Sequence, residues 1–359
     1  VPRLDYSDGG CPSLLLEPSR TNLITYSEDF SDDYWTKSGS SVVSGFTSPK
    51  GDLSAFKLVE GSTTSTHELE VTGIAVVADK YTISLFAKAD ERGKIRIQLS
   101  NYFAGNPSVI FDLENGTFEQ NVQAIGYMTL LSNGFYKCTF TTVLNAIAGG
   151  NAILNVNLVD EANQTSYTGN GTSGIYIWGA QLEQGSYPTS YIPTQGSAVT
   201  RVADSCNNAG NEQIFNGSDG VLYFNYKALV DDNQLRMISI YNSLDIANRI
   251  VFRQHNVGSN VIRFFYSTNS GTVYDETLAL SDITSYNKIA LKWSDSNLCI
   301  YVNGIKYLQQ LSGIANAVGL NKLNLSQFTG AFPLEGNVKD VRVYNTALTD
   351  QELQALTKI

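Results

Sequence analysis

The sequence predicts an all-β protein built from two tandem β-sandwiches of the jelly-roll type, with one short helix at the C-terminal end. Short runs of alternating apolar and polar residues, separated by turn residues, recur along the chain. The 359 residues exceed what one ordinary hydrophobic core organises. A proline-punctuated stretch at 187–193 divides the alternating runs into two series, because proline cannot donate to a strand ladder.

The first series predicts strands at 81–87, 94–100 and 151–158. Within the last two, apolar side chains alternate with polar ones, so one face enters a core and the other faces outward. The outward polar side chains are Arg96, Gln98, Asn155 and Asn157. Asn-Gly dipeptides beginning at 115, 133 and 303 predict tight turns between strands. Several such strands in about 190 residues favour two packed sheets.

The second series begins at Asp219 and reads as further strands. They are expected at 220–227, 235–241, 249–255, 260–266, 286–293, 297–304 and 336–344. The helix follows, because Thr349 and Glu352 form a capping box and Leu348, Leu353 and Leu356 give it an apolar side. The alternating tryptophans Trp35, Trp178 and Trp293 are expected in the cores.

These patterns define four segments. Residues 1–20 are an N-terminal arm or linker, 21–194 form the first sandwich, 195–216 form a linker, and 217–359 form the second sandwich.

The composition excludes several classes of function. Net charge is −10, with 24 basic and 34 acidic residues and no cluster of Lys and Arg, so nucleic-acid binding is not expected. No apolar run approaches the roughly 20 residues that span a bilayer, so no membrane contact is expected. The four cysteines lack metal-ligand spacing and are expected as free thiols, and two histidines do not favour a catalytic triad.

Two segments resemble virion appendage proteins of bacteriophages, including tail fibres. They are 14–30, followed by Trp35, and 176–194, which reads YIWGAQLEQGSYPTSYIPT. In that family the two segments open and close a sandwich of the carbohydrate-binding-module type.

The second half resembles the concanavalin A-like, laminin-G-like fold of lectins and glucanases. The segments 288–293, 298–304 and 338–353 carry this resemblance, which covers roughly 215–359. Glucanases of this fold usually carry an alternating Glu-x-Asp-x-x-Glu cluster, and no such cluster occurs between 215 and 359. The chain is therefore expected not to be an enzyme.

Together the resemblances imply a non-catalytic tail- or head-fibre protein that binds polysaccharide on a bacterial surface. They also imply other virion proteins as partners, a homotrimer, and a place in the virion after assembly in the host cytoplasm. Two alternatives stay open: a structural spacer or decoration protein that binds no glycan, and a tailspike enzyme that degrades polysaccharide.

Candidate glycan-binding residues are those whose amide, guanidinium or ring suits sugar hydroxyls and pyranose faces. In the first sandwich they are Arg96, Gln98, Asn101, Tyr102, Asn155 and Asn157, and in the second Arg253, His255, Arg263 and Tyr301. The competing interpretation is that these are ordinary solvated strand faces.

No cofactor is expected apart from a structural calcium ion. Carbohydrate-binding sandwiches often hold Ca²⁺ with oxygen ligands near their first and last strands, and Glu28 and Asp29 have suitable side chains. The closing strand departs from that pattern, because 178–182 reads WGAQL where such modules tend to carry paired aspartates.

Overall fold

The computed structural model describes residues 3–7, 9–147, 149–254, 258–294, 297–310 and 315–359. Within them the chain forms 28 strands and one α-helix, so the all-β prediction is confirmed. No helix in this described part is long and apolar enough to cross a membrane.

The strands and the helix have the following bounds: β1 Arg3–Asp5, β2 Ser13–Leu16, β3 Arg20–Asn22, β4 Thr36–Ser38, β5 Ser40–Phe46, β6 Ala55–Glu60, β7 Thr64–Thr66, β8 Glu68–Val76, β9 Tyr81–Ala89, β10 Lys94–Ser100, β11 Ser108–Asp112, β12 Thr117–Gln120, β13 Ala124–Leu130, β14 Tyr136–Thr142, β15 Gly150–Leu158, β16 Ser166–Thr168, β17 Gly174–Gln184, β18 Val199–Arg201, β19 Gly220–Ala228, β20 Arg236–Tyr241, β21 Arg249–Gln254, β22 Val261–Thr268, β23 Gly271–Ala279, β24 Asn287–Ser294, β25 Asn297–Val302, β26 Ile305–Gln310, β27 Lys322–Asn324, β28 Gly336–Tyr344 and α1 Asp350–Thr357.

The chain divides into two compact units. One is Ser19–Val202, called here the first sandwich; the other joins the chain up to Pro18 to Ala203–Ile359 and is called the second sandwich. The first sandwich has a sheet in the order β12-β11-β10-β15-β8-β4 (sheet I) and a sheet in the order β13-β14-β9-β17-β6-β5 (sheet II). Its core lies between them and includes the fully buried Trp35, Phe111 and Phe140.

The outer side of sheet II is covered by the proline-punctuated stretch that follows β17. The buried carboxylate of Glu183 accepts hydrogen bonds from the Thr189 amide (2.9 Å) and hydroxyl (2.5 Å). Gln181 accepts from the Ile192 amide at 2.6 Å. These contacts satisfy polar groups that would otherwise be costly to bury, and they fix the stretch on the sheet.

Trp178 lies in a small cluster on that outer side, apart from the main core. The register of β17 shifts between Trp178 and Gln181, with Gly179 at a φ of +63° between them. The bulge turns the indole outward, where it packs with Phe86 and Tyr191. Trp178 is therefore buried as expected, but in this separate cluster, whereas Trp35 and Trp293 occupy the two main cores.

The second sandwich has a sheet in the order β1-β2-β28-β19-β24-β25-β26 (sheet III) and a sheet in the order β23-β22-β21-β20-β27 (sheet IV). Phe224, Phe252 and Trp293 are fully buried between them. The turn at Asn303 and Gly304 has positive φ at both residues, as the tight hairpin predicted there requires.

The domain boundaries differ from those that the sequence predicts. Residues 1–20 are expected as an arm, yet β2 pairs with β28, Leu14 facing Val338, and Leu16 lies in the second core. The expected linker 195–216 is also structured: β18 pairs with β3, and Ala209 bridges Leu323. The misassigned segments are short and lack a long alternating run, so their pairing depends on distant partners.

The helix α1 begins as the sequence predicts. The Thr349 hydroxyl accepts from the Glu352 amide (3.3 Å), and the Glu352 carboxylate accepts from the Thr349 amide (2.8 Å). Its apolar side covers a cluster on the outer face of sheet III that contains Tyr223, Cys299 and Tyr301.

Candidate functional site

The outer face of sheet I carries two neighbouring rows of polar side chains. In one row Arg96 faces Asn157 across the strands, and Asn157 faces Glu68. In the next row Gln98 faces Asn155, and Asn155 faces Glu70. The alternation of β10, β15 and β8 turns the intervening apolar side chains into the core. The six residues form a polar floor about 10 Å across three strands and about 7 Å along them.

Hydrogen bonds hold this polar floor in one arrangement. Arg96 donates from Nε (3.1 Å) and Nη2 (3.0 Å) to the Asn157 amide oxygen, and Asn157 donates to Glu68 at 2.7 Å. Asn155 donates to Glu70 at 3.1 Å. Asn157 is fully buried and Asn155 nearly so. Such buried networks are rigid when their members are satisfied.

The floor still presents donors and acceptors outward. Its internal hydrogen bonds engage Nε and Nη2 of Arg96, the amide oxygen of Gln98 and one oxygen of each carboxylate. Nη1 of Arg96 and the amide nitrogen of Gln98 therefore remain for a ligand. Burial lowers the pKa of Arg96, and the charge of Glu68 opposes that effect. The guanidinium remains charged, because arginine side chains are not deprotonated in proteins.

The structure does not bring Asn101 and Tyr102 onto this floor. Gly150 stands opposite the buried Val76, on the core side of sheet I, and a Cβ atom there would collide with the ring of Tyr102. The ring therefore lies over the core side of the sheet end. Asn101, at a φ of +65°, donates to the Asn151 carbonyl at 3.4 Å. These two candidates therefore border the end of the sandwich and not the polar floor.

Of the three described candidates in the second sandwich, the structure brings two together. Arg253 and Arg263 face each other across β21 and β22 on the outer face of sheet IV. Tyr301 is buried beneath α1, so the helix removes it from any surface site. His255 lies outside the described residues.

The acidic pair proposed for calcium is already engaged. Glu28 forms an ion pair with Lys50 at 2.7 Å, and Asp29 accepts from the amide (3.0 Å) and hydroxyl (2.5 Å) of Ser31. Across the described ranges no group of three or more His, Cys, Asp or Glu side chains is arranged to hold a metal ion. Glu28 and Asp29 line a cleft of about 570 Å³, but their present bonding does not fit a Ca²⁺ ion, which prefers six to eight oxygens.

Sequence reasoning missed Glu68 and Glu70. Both alternate with core residues in β8, and that signal is visible in the sequence. Their place beside the asparagines depends on which strands pair, which local alternation does not specify. Phe265 was also missed. It follows Arg263 on the same face of β22, and it lies beside Arg253 because β21 and β22 are neighbours.

No protein-family model matches the chain, and no curated protein matches it. Some solved structures are similar to part of it. The CBM40 of a Ruminococcus gnavus IT-sialidase, bound to α2,3-sialyllactose, is 19% identical over 43% of this chain and 96% of its own, with a TM-score of 0.34. A heptameric SAP-like pentraxin from Limulus polyphemus is 10% identical over 42% of this chain and 74% of its own, with a TM-score of 0.35.

Sheep galectin-11 in complex with glycerol is 6% identical over 40% of this chain and 99% of its own, with a TM-score of 0.27. Likenesses at these identities and TM-scores establish no function for this chain. A functional conclusion therefore depends on the chemistry of the described residues.

Proposed function

We propose that this chain is a non-catalytic carbohydrate-binding protein, and that the polar floor of the first sandwich binds a glycan. The observation that carries the proposal is the fixed network of Arg96, Asn157 and Glu68. It offers oriented donors and acceptors without the entropy cost of ordering them on binding. Sugar hydroxyls both donate and accept, so a mixed amide, guanidinium and carboxylate surface complements them.

The absence of catalysis is part of this proposal. Glycosidases need two carboxyl groups placed on either side of the scissile bond. Glu68 and Glu70 instead lie on the same strand, and each accepts a hydrogen bond from an asparagine of the floor. We also propose that binding does not need calcium, since Glu28 and Asp29 already have other partners.

The biological setting is proposed from the sequence resemblance. The segments 14–30 and 176–194 support a bacteriophage virion appendage, a tail or head fibre, that binds polysaccharide of the host surface. A homotrimer, other virion proteins as partners, and assembly in the host cytoplasm complete this proposal.

The test is an array of bacterial surface polysaccharides probed with the purified chain, with and without calcium. We expect binding in both conditions and no shortened polysaccharide. Arg96→Gln removes charged hydrogen bonds worth about 1.5–3 kcal/mol, which corresponds to an affinity loss of about 10- to 100-fold.

Gln98→Ala tests the same face and keeps the Arg96–Asn157–Glu68 bonds, since it removes only the 3.4 Å bond from Arg96. Gln184→Ala is its matched control on sheet II, where Gln184 donates to Asp79. Equal binding by the Gln98 and Gln184 variants would place the glycan elsewhere. An array without any bound glycan would instead support a spacer or decoration role, and shortened polysaccharide would indicate a tailspike enzyme.

A further inference from the structure

A cleft of about 570 Å³ lies at one edge of the first sandwich. The edge is formed by β5, the last strand of sheet II, where Ser44 faces Phe56 of β6. The register of this strand pair shifts just after Ser44, and Gly45 has a φ of +96° there. Such a bulge bends the edge strand, and parts of the segments 28–31 and 193–195 complete the lining of the cleft. Its volume falls within the roughly 300–1,000 Å³ that small-molecule sites occupy.

Hydrogen bonds within the protein fix the walls of this cleft. Lys50 forms an ion pair with Glu28 at 2.7 Å, which joins the turn before β6 to the segment after β3. The Thr194 amide donates to the Ser27 hydroxyl at 2.8 Å, and the Ser27 amide donates to the Thr194 hydroxyl at 3.1 Å. The walls are therefore in place before a ligand arrives, which lowers the entropy cost of binding.

The lining of the cleft includes polar groups that the protein itself uses only in part. Both hydrogen bonds from Ser31 to Asp29 end at Oδ1 (3.0 and 2.5 Å), so Oδ2 is left as an acceptor. In the described part of the chain, the hydroxyl of Ser44 and the side-chain amide of Gln195 make no hydrogen bond within the protein. Together these groups offer a carboxylate acceptor and two groups that both donate and accept.

The rest of the cleft has an apolar wall. Leu53, Phe56 and Pro193 line it, and Leu53 is 70% exposed. A pyranose has the same division, with hydroxyls at its edge and C–H groups on its faces. The carboxylates of Glu28 and Asp29 repel an anionic sugar, so the cleft favours a neutral one.

We infer that this cleft is a second glycan site, which binds a short neutral saccharide through Asp29, Ser44 and Gln195. The inference rests on the proposed carbohydrate-binding function and adds a separate site to it. The polar floor is an outer sheet face, whereas the cleft encloses a sugar between an apolar wall and its polar groups. Sugar hydroxyls donate to Oδ2 of Asp29, and the charge of the carboxylate makes these hydrogen bonds stronger than neutral ones.

The test is a titration of the full chain with four neutral disaccharides: maltose, cellobiose, galactobiose and mannobiose. Digalacturonate is the matched ligand control for the galactobiose of the same linkage, because it keeps the sugar rings and adds two carboxylates. We expect at least one neutral disaccharide to bind saturably. Digalacturonate should bind at least about tenfold more weakly than the neutral disaccharide that binds best.

Trp178 reports occupancy of the cleft. Its indole donates to the Ser54 hydroxyl at 3.0 Å, and Ser54 lines the cleft. A sugar in the cleft therefore changes the surroundings of this indole and its fluorescence, whereas a sugar on the polar floor lies against sheet I. Trp178→Phe should remove the fluorescence change. Isothermal titration calorimetry measures the affinity of every variant independently of this signal.

Two pairs of variants test the polar groups and the apolar wall. Asp29→Asn keeps the shape of the side chain but removes its charge, and it should weaken disaccharide binding about tenfold. Asp32→Asn is the matched control, because Asp32 accepts from the Tyr34 amide at 2.8 Å nearby in the chain but does not line the cleft. Leu53→Ala should weaken binding a few-fold, whereas Leu144→Ala, at a residue that is 49% exposed, should not.

Three results would overturn the inference. The first is that no neutral disaccharide binds, or that binding leaves the fluorescence of Trp178 unchanged. The second is that digalacturonate binds as tightly as the neutral disaccharides. The third is that the Asp29 and Asp32 variants have equal affinities. Polysaccharide binding on the array that depends on Gln98 but not on Asp29 would leave the proposed function standing while the cleft inference fails.

Discussion

The carboxylate of Glu60 lies buried at the end of β6 and accepts hydrogen bonds from three residues. Arg92 donates to both of its oxygens (2.7 and 2.8 Å), and the Tyr167 hydroxyl and the Asn170 amide donate at 2.8 Å each. Burial raises the pKa of Glu60, but these hydrogen bonds and the charge of Arg92 outweigh it and leave the pKa below its ordinary value of 4.5. This one side chain ties the loop that follows β16 to sheet II.

Glu60→Gln should destabilise the first sandwich. Removing one partner of a buried ion pair costs about 3–5 kcal/mol, which lowers the melting temperature of a domain of this size by roughly 10 °C. Because the folded-state pKa is lowered, the contribution of the carboxylate is fully present above pH 4.5 and is lost as pH falls through the folded-state pKa.

Thermal unfolding measured from pH 7 downward would check this prediction. The gap between wild type and the Glu60 variant should narrow below pH 4.5. Glu161→Gln provides the control, because the Glu161 side chain is 83% exposed and its contact with Lys94 is 3.6 Å long. A pH-independent gap would mean that packing, and not charge, accounts for the loss.

At the same residue scale, the alternation of apolar and polar residues is enough to identify four members of the polar floor. Arg96, Gln98, Asn155 and Asn157 are predicted outward and lie together, because a strand's period of two fixes the face of each side chain. Tyr102 was misplaced because it lies in a turn, where no period applies. Its position depends on the absence of a side chain at Gly150.

At the scale of single elements, α1 was predictable because its signals are local. The residues of the capping box and the leucines of the apolar side all lie within one segment of about ten residues. Its packing partner was not predictable, since no local pattern indicates that the helix lies on sheet III and buries Tyr301. The proline-punctuated stretch that follows β17 is likewise only partly predictable. Its prolines indicate locally that a strand ends, but its contacts with Gln181 and Glu183 are tertiary contacts that no local pattern indicates.

Thr349→Ala tests how firmly α1 covers sheet III. Loss of an N-cap costs about 1 kcal/mol, which makes local opening of the helix about fivefold more frequent. Cys299 reports this opening, because it is buried under the helix and burial raises the pKa of its thiol to about 11.

Thiol labelling followed by peptide mass spectrometry gives the rate for each cysteine. We expect Cys299 to label about fivefold faster in the Thr349 variant. Cys138, buried in the first sandwich, should label at an unchanged rate, and the exposed Cys11 should label at once in both proteins. If Cys138 accelerates equally, the substitution has acted on global stability and not on the helix.

On the scale of the whole molecule, the first sandwich is an insertion into the second. Sheet III takes β1 and β2 from the start of the chain and β28 from its end. Where the chain leaves and re-enters the second sandwich, Glu17 and Asp204 exchange hydrogen bonds of 2.7 and 2.9 Å. The ends of the insertion also meet, since β3 pairs with β18. Local sequence patterns do not reveal that a domain is built from two separate segments of the chain. For this reason they predict residues 1–20 to be an arm.

Because the first sandwich is an insertion, we can predict which shortened forms of the chain fold. A protein in which Pro18 is joined to Ala203 by a few Gly and Ser residues should fold, because Glu17 and Asp204 are already adjacent. A protein of 203–359 alone should be less stable, since it lacks β2 and the buried Leu16, and loss of one such core side chain costs about 2–5 kcal/mol. Ser19–Val202 alone should fold, with its own core and paired ends.

Denaturant unfolding of the three proteins would measure these stabilities. The joined protein with Leu16→Ala is the matched control for the lost strand, and it should fall between the joined protein and 203–359. Equal stability of the joined protein and 203–359 would show that β1 and β2 contribute nothing to sheet III. Failure of Ser19–Val202 to fold would show that the insertion depends on its host for stability, because its paired ends would then not suffice to close the unit.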